Sequence, residues 1–388
     1  MKHTFVDYVK WRGDRSFAEE QLNYIDSLIL CHIAYIDFSK VLDQEETITL
    51  REAVERLHQK DDVRILMVDH DPKHLENVDV YAQSKRFGDI RINNYVDLLD
   101  EEVQFSAMTL QLTDDTCYLA YRGTDASVAG WKEDFMLSFT QVPSQMLALS
   151  YADNIIDDQH YYYLGGHSKG GNLALYAGIM LSDEKFSRIR KVFVLDGPGL
   201  SSDVVSLATL ERRKNYFVSI VPEYSIIGQI FLPNIPESYI VSSNFFSVMQ
   251  HSLASWQLNY TQLDVVNKLD GQADFLSRKL NGWLKDKDML EREKLVNDIF
   301  GFLDEAGVKA VDDIDAKTWR RMFTILTSNV KDSFDETRKQ LLEKLQKTTA
   351  TVSQSFNDTK NSLKATLDET ADKLQNRFHG LIRDDKDR

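Results

Sequence analysis

The chain has 388 residues, of which 43% are hydrophobic and 28% charged, and its 61 acidic and 46 basic side chains give a formal net charge of −15. This apolar fraction excludes a disordered chain, and six prolines and 17 glycines are too few for a collagenous or low-complexity one. The acidic charge argues against a nucleic-acid partner, because phosphate contacts need clustered Lys and Arg. The length suffices for about two domains.

Two further features bear on cofactors and location. Cys31 and Cys117 lie in no Cys-x-x-Cys or metal-ligand spacing, so we expect neither a disulfide framework nor a zinc site. Separately, we expect no other metal and no organic cofactor. The amino terminus lacks a signal-peptide pattern, and no segment reaches the roughly 18 uncharged apolar residues of a membrane span. We therefore expect a cytoplasmic protein and leave peripheral membrane contact open.

Segments with a helical period alternate with β-rich segments up to about residue 260. Helices are predicted over 20–36, 145–158 and 170–181. The β-rich segments are 105–112, 116–121, 160–164, 191–195, 216–221 and 239–242. This alternation predicts an α/β fold with a mostly parallel central sheet and helices on both faces, and we assign it to residues 1–260.

The rest of the chain is predicted to be helical. No proline follows residue 260, the strand patterns stop, and residues 261–325 are expected to form a helical extension with one or two helices between Val265 and Leu303. From Val330 onward, apolar residues recur with an eleven-residue period. Eleven residues make almost three helical turns, so 326–388 should form one amphipathic helix, its repeats spanning about 55 residues and roughly 80 Å.

The repeats allow two main interpretations, and a third possibility is that the helix packs back on the preceding domain. Eleven-residue repeats favour a right-handed coiled coil, which would make residues 330–384 a self-association element. Their weakly apolar, Thr-containing stripe, flanked by Lys and Asp, is also similar to helices that lie on lipid surfaces. Residues 331–388 carry 12 basic and 11 acidic side chains, so the net negative charge of the chain lies in residues 1–330. Since a near-neutral helix can approach a membrane, we favour peripheral membrane contact.

The segment Gly166-His167-Ser168-Lys169-Gly170 matches G-x-S-x-G, the nucleophile elbow. A β-rich segment precedes it and a helical one follows, as the elbow requires, and Gly166 and Gly170 avoid clashes in the sharp turn. The start of the helix places backbone N–H groups, that of Lys169 above all, where an oxyanion would form. We expect the side chains of His167 and Lys169 to be structural or to lie at the rim.

A serine nucleophile needs a base and an acid, which in this fold follow in the order Ser, acid, His. Only His251 and His379 come after Ser168, and His379 lies in the repeat tail, so His251 is the predicted base. Asp196 and Glu223 each follow a β-rich segment, and either could orient the imidazole. Asp196 is preferred because Asp-Gly-Pro-Gly fixes a tight turn, and Glu223 is the alternative acid.

A second oxyanion donor is predicted in Arg122-Gly123-Thr124-Asp125, which follows the strand expected to end at Tyr121. The backbone N–H of Thr124, and its hydroxyl, would point into the site from such a loop. An ordinary polar turn is the alternative interpretation.

Together these motifs resemble the class 3 lipase branch of the α/β-hydrolases, in which Phe-Arg-Gly-Thr precedes Gly-His-Ser-x-Gly-Gly. More closely, the chain resembles a bacterial family of α/β-hydrolases of unknown substrate, related to the mesenteric estrogen-dependent adipogenesis protein. The resemblance covers about residues 5–260. The residues that carry it are 7–14, 26–30, 104–107, 122–125, 130–135, 165–172 and 196–199, with His251 and Trp256.

The resemblance implies that Ser168 is the nucleophile, His251 the base and Asp196 the acid. Val221-Pro222-Glu223 departs from the class 3 lipase pattern, where an Asp precedes Val-Pro, which keeps Glu223 as an alternative. The predicted function is therefore a serine hydrolase that cleaves an acyl or lipid ester through an acyl-enzyme. The alternative is a non-catalytic binding or scaffold protein whose C-terminal helix directs assembly or membrane attachment.

Overall fold

The computed structural model describes residues 2–42, 46–60, 74–99, 104–123, 132, 136–285 and 287–305. The chain divides into two units, Met1–Thr327 and Ser328–Arg388. All described residues belong to the first unit, so the predicted repeat helix over 326–388 and the end of the predicted extension, 306–325, lie outside them. No helix in the described ranges is long and apolar enough to cross a membrane.

A mixed sheet with a parallel centre forms the core of the described chain. The strands of the described residues are β1 (Ile48–Thr49), β2 (Arg91–Leu99), β3 (Gln104–Thr113), β4 (Thr116–Tyr121), β5 (Tyr161–His167), β6 (Ile189–Leu195), β7 (Phe217–Pro222), β8 (Glu237–Val241), β9 (Leu258–Asn259), β10 (Gln262–Leu263) and β11 (Val265–Val266). In the sheet they are joined in the order β1, β2, β3, β4, β5, β6, β7, β8, β11. Strands β9 and β10 pair as a separate hairpin. Strands β4 to β8 run parallel, and the flanking pairs are antiparallel.

The helices of the described residues begin at recognisable signals. In the second of them, the Asn23 side chain accepts from the backbone N–H of Asp26 while the Asp26 carboxylate accepts from that of Asn23, a capping box. Pro143 opens the sixth at a position where no amide is needed. Their bounds are α1 (Phe5–Arg12), α2 (Tyr24–Ile33), α3 (Leu50–Leu57), α4 (His74–Gln83), α5 (Lys85–Gly88), α6 (Pro143–Ile155), α7 (Lys169–Met180), α8 (Asp183–Phe186), α9 (Leu207–Arg213), α10 (Gly271–Lys285) and α11 (Met289–Glu305).

Helices cover both faces of the sheet. Along β4, Tyr118 and Ala120 belong to one apolar cluster and Leu119 and Tyr121 to the other. Alternation of this kind follows from the two-residue period of a strand whose faces are both buried. The first cluster includes buried residues of α1 to α5, and the second those of α6, α7 and α9. The predicted fold class is thus confirmed.

The predicted elements correspond to β3 to β8 and to α2, α6 and α7. The prediction that strands stop at residue 260 is wrong, because β10 and β11 follow it. Val265–Val266, expected to begin a helix, pairs antiparallel with Ile240 and Val241 at the edge of the sheet. A two-residue edge strand is too short to show a period, which explains the error.

The helical extension packs on loops that follow two strands of the sheet. Asn281 in α10 accepts from the backbone N–H of Phe231 at 2.8 Å and donates to the carbonyl oxygen of Gln229 at 2.6 Å. Arg292 in α11 donates to the carboxylate of Asp203 at 2.7 Å. Helices α10 and α11 therefore brace the loops after β6 and β7, and these loops start beside the candidate acids Asp196 and Glu223.

Candidate active site

Ser168 occupies the sharp turn between β5 and α7. Its φ of 58° and ψ of −127° are strained for a residue with a side chain. A Cβ at Gly166 would lie 2.2 Å from the carbonyl of Gly170, and one at Gly170 would lie 2.2 Å from the carbonyl oxygen of Tyr121. Glycine is therefore required at both predicted elbow positions. The Ser168 N–H donates to the carbonyl oxygen of Leu195 at 2.9 Å, which ties the elbow to β6.

Three side chains predicted to act together form one hydrogen-bonded chain. The Oγ of Ser168 lies 2.9 Å from Nε2 of His251, and Nδ1 of His251 lies 2.6 Å from Oδ2 of Asp196. All three are buried. A carboxylate oxygen accepts, so Nδ1 carries the proton and Nε2 faces the serine hydroxyl as an acceptor. This is the arrangement of a nucleophile, a base and a group that orients the base.

The Asp196 carboxylate is held on both oxygens. The residue follows β6 with a φ of 44°, and its N–H donates to the carbonyl oxygen of Ile220 at 2.8 Å. Ser225 donates to Oδ1 at 2.5 Å, opposite the histidine on Oδ2. Gly228 lies so close that a Cβ there would meet Oδ1 at 2.2 Å. Nothing in the sequence marks Ser225 as a partner of Asp196, apart from its position four residues after Val221.

Glu223, the alternative acid, lies elsewhere in the hydrogen-bond network. Its backbone N–H donates to the carbonyl oxygen of Val241 at 2.9 Å, and its carbonyl oxygen accepts from the N–H of Asp270 at 2.6 Å. These bonds fix the backbone at the end of β7, and the side chain is partly exposed. The carboxylate in contact with His251 is that of Asp196.

His167 is buried and contacts the loop that carries the candidate base. Its Nε2 lies 2.7 Å from the carbonyl oxygen of His251, and its Nδ1 lies 2.8 Å from the hydroxyl of Tyr35. A carbonyl can only accept, so Nε2 donates and Nδ1 accepts from the tyrosine. Burial, reinforced by the electrostatic effect of the neighbouring His251 ring, lowers the pKa of His167 well below its usual value. The His167 ring is therefore neutral. Of the two placements expected from the sequence, structural or at the rim, the buried side chain takes the structural one.

A tryptophan adds a second restraint on the same loop. The indole Nε1 of Trp256 donates to the carbonyl oxygen of Gln250 at 2.8 Å, one residue before the carbonyl bound by His167. The Gln250 side chain in turn accepts from the N–H of Tyr224 at 2.9 Å. Two consecutive carbonyls are thus held by buried rings, and this fixes the backbone from which His251 projects.

The predicted oxyanion donors are described only in part. Lys169 is the first residue of α7 and is buried rather than at a rim, so its amide opens the helix beside Ser168. Thr124 lies outside the described residues. The strand before it is anchored by Arg122, whose guanidinium donates to the largely buried carboxylate of Asp97 at 2.7 Å.

The cysteines form no disulfide in the described chain. Cys31 and Cys117 are free and buried. Within the described ranges, no group of three or more His, Cys, Asp or Glu side chains is placed to hold a metal ion.

The parallel strands, the elbow at Ser168 and the order Ser, Asp, His define an α/β-hydrolase fold. A model of the Mbeg1-like family matches residues 81–301, more than half of the chain, and the chain belongs to this Mbeg1-like family. No curated protein matches it.

Two solved structures show limited similarity. The M37 lipase is 12% identical, with 54% of this chain and 70% of that chain covered at a TM-score of 0.36. A fungal lipase in a lipase–inhibitor complex is 15% identical, with 50% and 76% covered at a TM-score of 0.29. Similarity at this level leaves the function to be argued from the site itself.

Proposed function

We propose that this protein is a serine hydrolase that cleaves carboxylic esters of the acyl or lipid type. The observation that carries the proposal is the continuous hydrogen-bonded chain from Ser168 through His251 to Asp196 at a strained elbow. An incidental serine in a turn would need neither an aligned imidazole nor a carboxylate held on both oxygens. Strain of this kind is typical of functional sites.

The chemistry follows from the positions of the protons. Nε2 of His251 takes the proton of Ser168 as Oγ attacks the acyl carbon, and the amides of Lys169 and Thr124 are proposed to hold the oxyanion. The proton then passes from Nε2 to the leaving alkoxide, and the alcohol departs. Water attacks the acyl-enzyme by the same route, and the free acid and the serine hydroxyl are restored. Asp196 keeps the imidazole oriented and stabilises its charged form.

Labelling with a fluorophosphonate probe tests this proposal, because the probe phosphonylates only an activated serine. We expect the wild type to label and to hydrolyse p-nitrophenyl esters, and Ser168→Ala to do neither. Ser27→Ala is the matched control, because Ser27 is also a buried serine with a hydrogen-bonded hydroxyl, 2.6 Å from that of Tyr118. A folded wild type that neither labels nor hydrolyses short or long esters would instead support the non-catalytic scaffold.

For the repeats over 330–384 we propose reversible contact with a lipid surface, with self-association as the alternative. The support is the near-neutral charge and thin apolar stripe of this segment. A peptide of these residues should gain helicity with anionic liposomes. Helicity that depends on peptide concentration and not on lipid would identify a coiled coil instead.

A further inference from the structure

An exposed apolar loop directly precedes the candidate base. Phe245, Phe246 and Met249 are all exposed, and Phe246 at 86% is the most exposed large apolar side chain of the described residues. Met249 belongs to the same short helical turn as His251, Ser247–His251. Single exposed apolar residues are ordinary, but three within five positions form a patch that water disfavours.

The sequence around this loop is free of charge. From Ser238 to Leu263 there is no Asp, Glu, Lys or Arg, although 28% of the whole chain is charged. The polar residues within the loop, Asn244 and Ser247, are small and exposed. A loop tip without charged side chains avoids the cost of moving ions out of water, and small hydroxyl and amide groups can still bond at a polar interface.

The loop is presented by a fixed backbone. The N–H of Asn244 donates to the carbonyl oxygen of Ser255 at 3.0 Å, and the N–H of Phe245 donates to the hydroxyl of Ser243 at 3.1 Å. Ser247 adopts a φ of 54°, which turns the chain sharply after Phe246. The aromatic rings therefore protrude from an ordered turn, and little conformational entropy is lost when they are buried.

We propose that the loop 244–249 inserts into the interfacial region of a lipid layer and holds the candidate active site, through the adjoining His251, at that layer. A protruding uncharged tip suits insertion among lipids, where amphipathic and apolar side chains lie at the headgroup level. A stable protein interface needs on the order of 1,000 Å² or more with good complementarity, which one narrow loop does not supply. The inference rests on the proposed function for its biological purpose, whereas docking itself requires no catalysis.

The charge of the molecule predicts which lipid is favoured. The chain carries a net charge of −15, so an anionic bilayer repels its body, while the docking loop brings no positive charge to compensate. Docking through this loop should therefore occur on zwitterionic phosphatidylcholine vesicles and should not strengthen at low salt. Binding through the repeat tail would instead persist when the loop residues are substituted.

The test is vesicle flotation of the full-length chain in the Ser168→Ala background, which removes catalysis from the measurement. The variant Phe245→Ser/Phe246→Ser should partition into phosphatidylcholine vesicles at least about tenfold more weakly than the parent. Tyr260→Ser is the matched control: this aromatic is 65% exposed on the β9–β10 hairpin, and its loss should leave partitioning unchanged. Fluorophosphonate labelling of the wild type, which retains Ser168, is measured in a separate experiment. A failure of catalysis is therefore distinguishable from a failure of docking.

Results of three kinds would overturn the proposal. The first is a parent protein that does not bind phosphatidylcholine vesicles. The second is a double variant that binds as the parent does, or a Tyr260→Ser variant that loses as much binding. The third, in light scattering, is a parent dimer that the double variant converts to a monomer, because the loop would then be covered by a second copy.

Discussion

The imidazole Nε2 of His167 donates a hydrogen bond of 2.7 Å to the backbone carbonyl oxygen of His251. The residue immediately before the candidate nucleophile thus holds the backbone of the candidate base. The two rings also lie 4.6 Å apart between centroids. The Tyr35 hydroxyl bonds Nδ1 of His167, so hydrogen bonds on both nitrogens fix the orientation of the His167 ring. Because that ring holds the backbone of His251, it also helps to fix the distance from Ser168 to His251.

Loss of this hydrogen bond should slow the chemical step. In His167→Leu the carbonyl of His251 loses its donor, and displacement of a catalytic group by about 1 Å costs roughly 100-fold in rate. We expect kcat on a short p-nitrophenyl ester to fall about 10- to 100-fold with KM little changed. The measurement is steady-state kinetics with thermal unfolding recorded alongside.

The conservative variant separates positioning from general stability. His167→Gln places an amide N–H near the position of Nε2 and should recover much of kcat. If both variants lower the unfolding temperature equally while kcat stays at the wild-type value, His167 is only a structural residue and the positioning role is rejected.

The acid can be assigned by a pair of matched amide substitutions. Asp196→Asn removes the charge opposite Nδ1 of His251 and favours the wrong tautomer, so kcat should fall by about three to four orders of magnitude. Glu223→Gln changes a partly exposed side chain outside the hydrogen-bonded chain, and kcat should stay within about twofold. Kinetics on the same ester compares them directly. The reverse ranking would restore Glu223 as the acid.

The sequence predicts the strands that are several residues long and apolar, and it fails where a strand is polar or only two residues long. Strands β3 to β8 are β-rich and were predicted, whereas β2, which includes Arg91, Asn93, Asn94 and Asp97, was not. Its register with β3 shifts between Asn93 and Val96, and Asn94 has a φ of 49°, so the period of two is interrupted. An irregular, partly polar strand shows no alternation in its sequence.

The candidate site was predicted as far as local motifs and chain order allow. Ser168, Asp196 and His251 follow from the elbow and from the order of the three residues. The partners that position them join residues far apart: 84 positions separate His167 from His251, and 132 separate Tyr35 from His167. Contacts that form only when distant segments meet in the folded sheet leave no pattern in a single sequence. Ser225 on Asp196 is a further example.

A buried ion pair should dominate the stability of the amino-terminal helices. Arg86 donates to Asp26 from Nε at 2.7 Å and from Nη2 at 2.5 Å, and both side chains are at most 1% exposed. The charge and hydrogen bonds of Asp26 outweigh burial and raise the pKa of Arg86. Asp26→Asn leaves an uncompensated buried cation and should lower the free energy of unfolding by about 3–5 kcal/mol.

The matched control is an exposed pair of the same residue types. Arg51 and Asp89 lie 3.0 Å apart with side chains 39% and 64% exposed. Asp89→Asn should cost less than about 1 kcal/mol, because water screens both charges. Urea unfolding measures both variants. Equal small losses would show that the Asp26–Arg86 pair does not stabilise the fold.

Two buried histidines should make stability depend on pH. Nδ1 of His74 lies 2.8 Å from Nε2 of His32 between α2 and α4. Burial lowers the pKa of His74 to about 3, and burial, together with the electrostatic effect of the neighbouring His74, lowers the pKa of His32 well below its usual value. Unfolded histidines titrate near pH 6.5, so below this pH the unfolded chain binds protons that the folded chain does not.

The sign of the effect follows directly. A depressed folded pKa contributes stability that is fully present above about pH 6.5 and is lost as the pH falls toward 3, by up to about 1.4 kcal/mol per pH unit for each such histidine. His74→Gln removes one titrating group, so the slope of unfolding free energy against pH between 6 and 4 should become shallower by about that amount. Urea unfolding at pH 7, 6, 5 and 4 gives both slopes. Parallel slopes for wild type and variant would mean that His74 is protonated equally in the folded and unfolded chains, which its burial beside His32 disfavours.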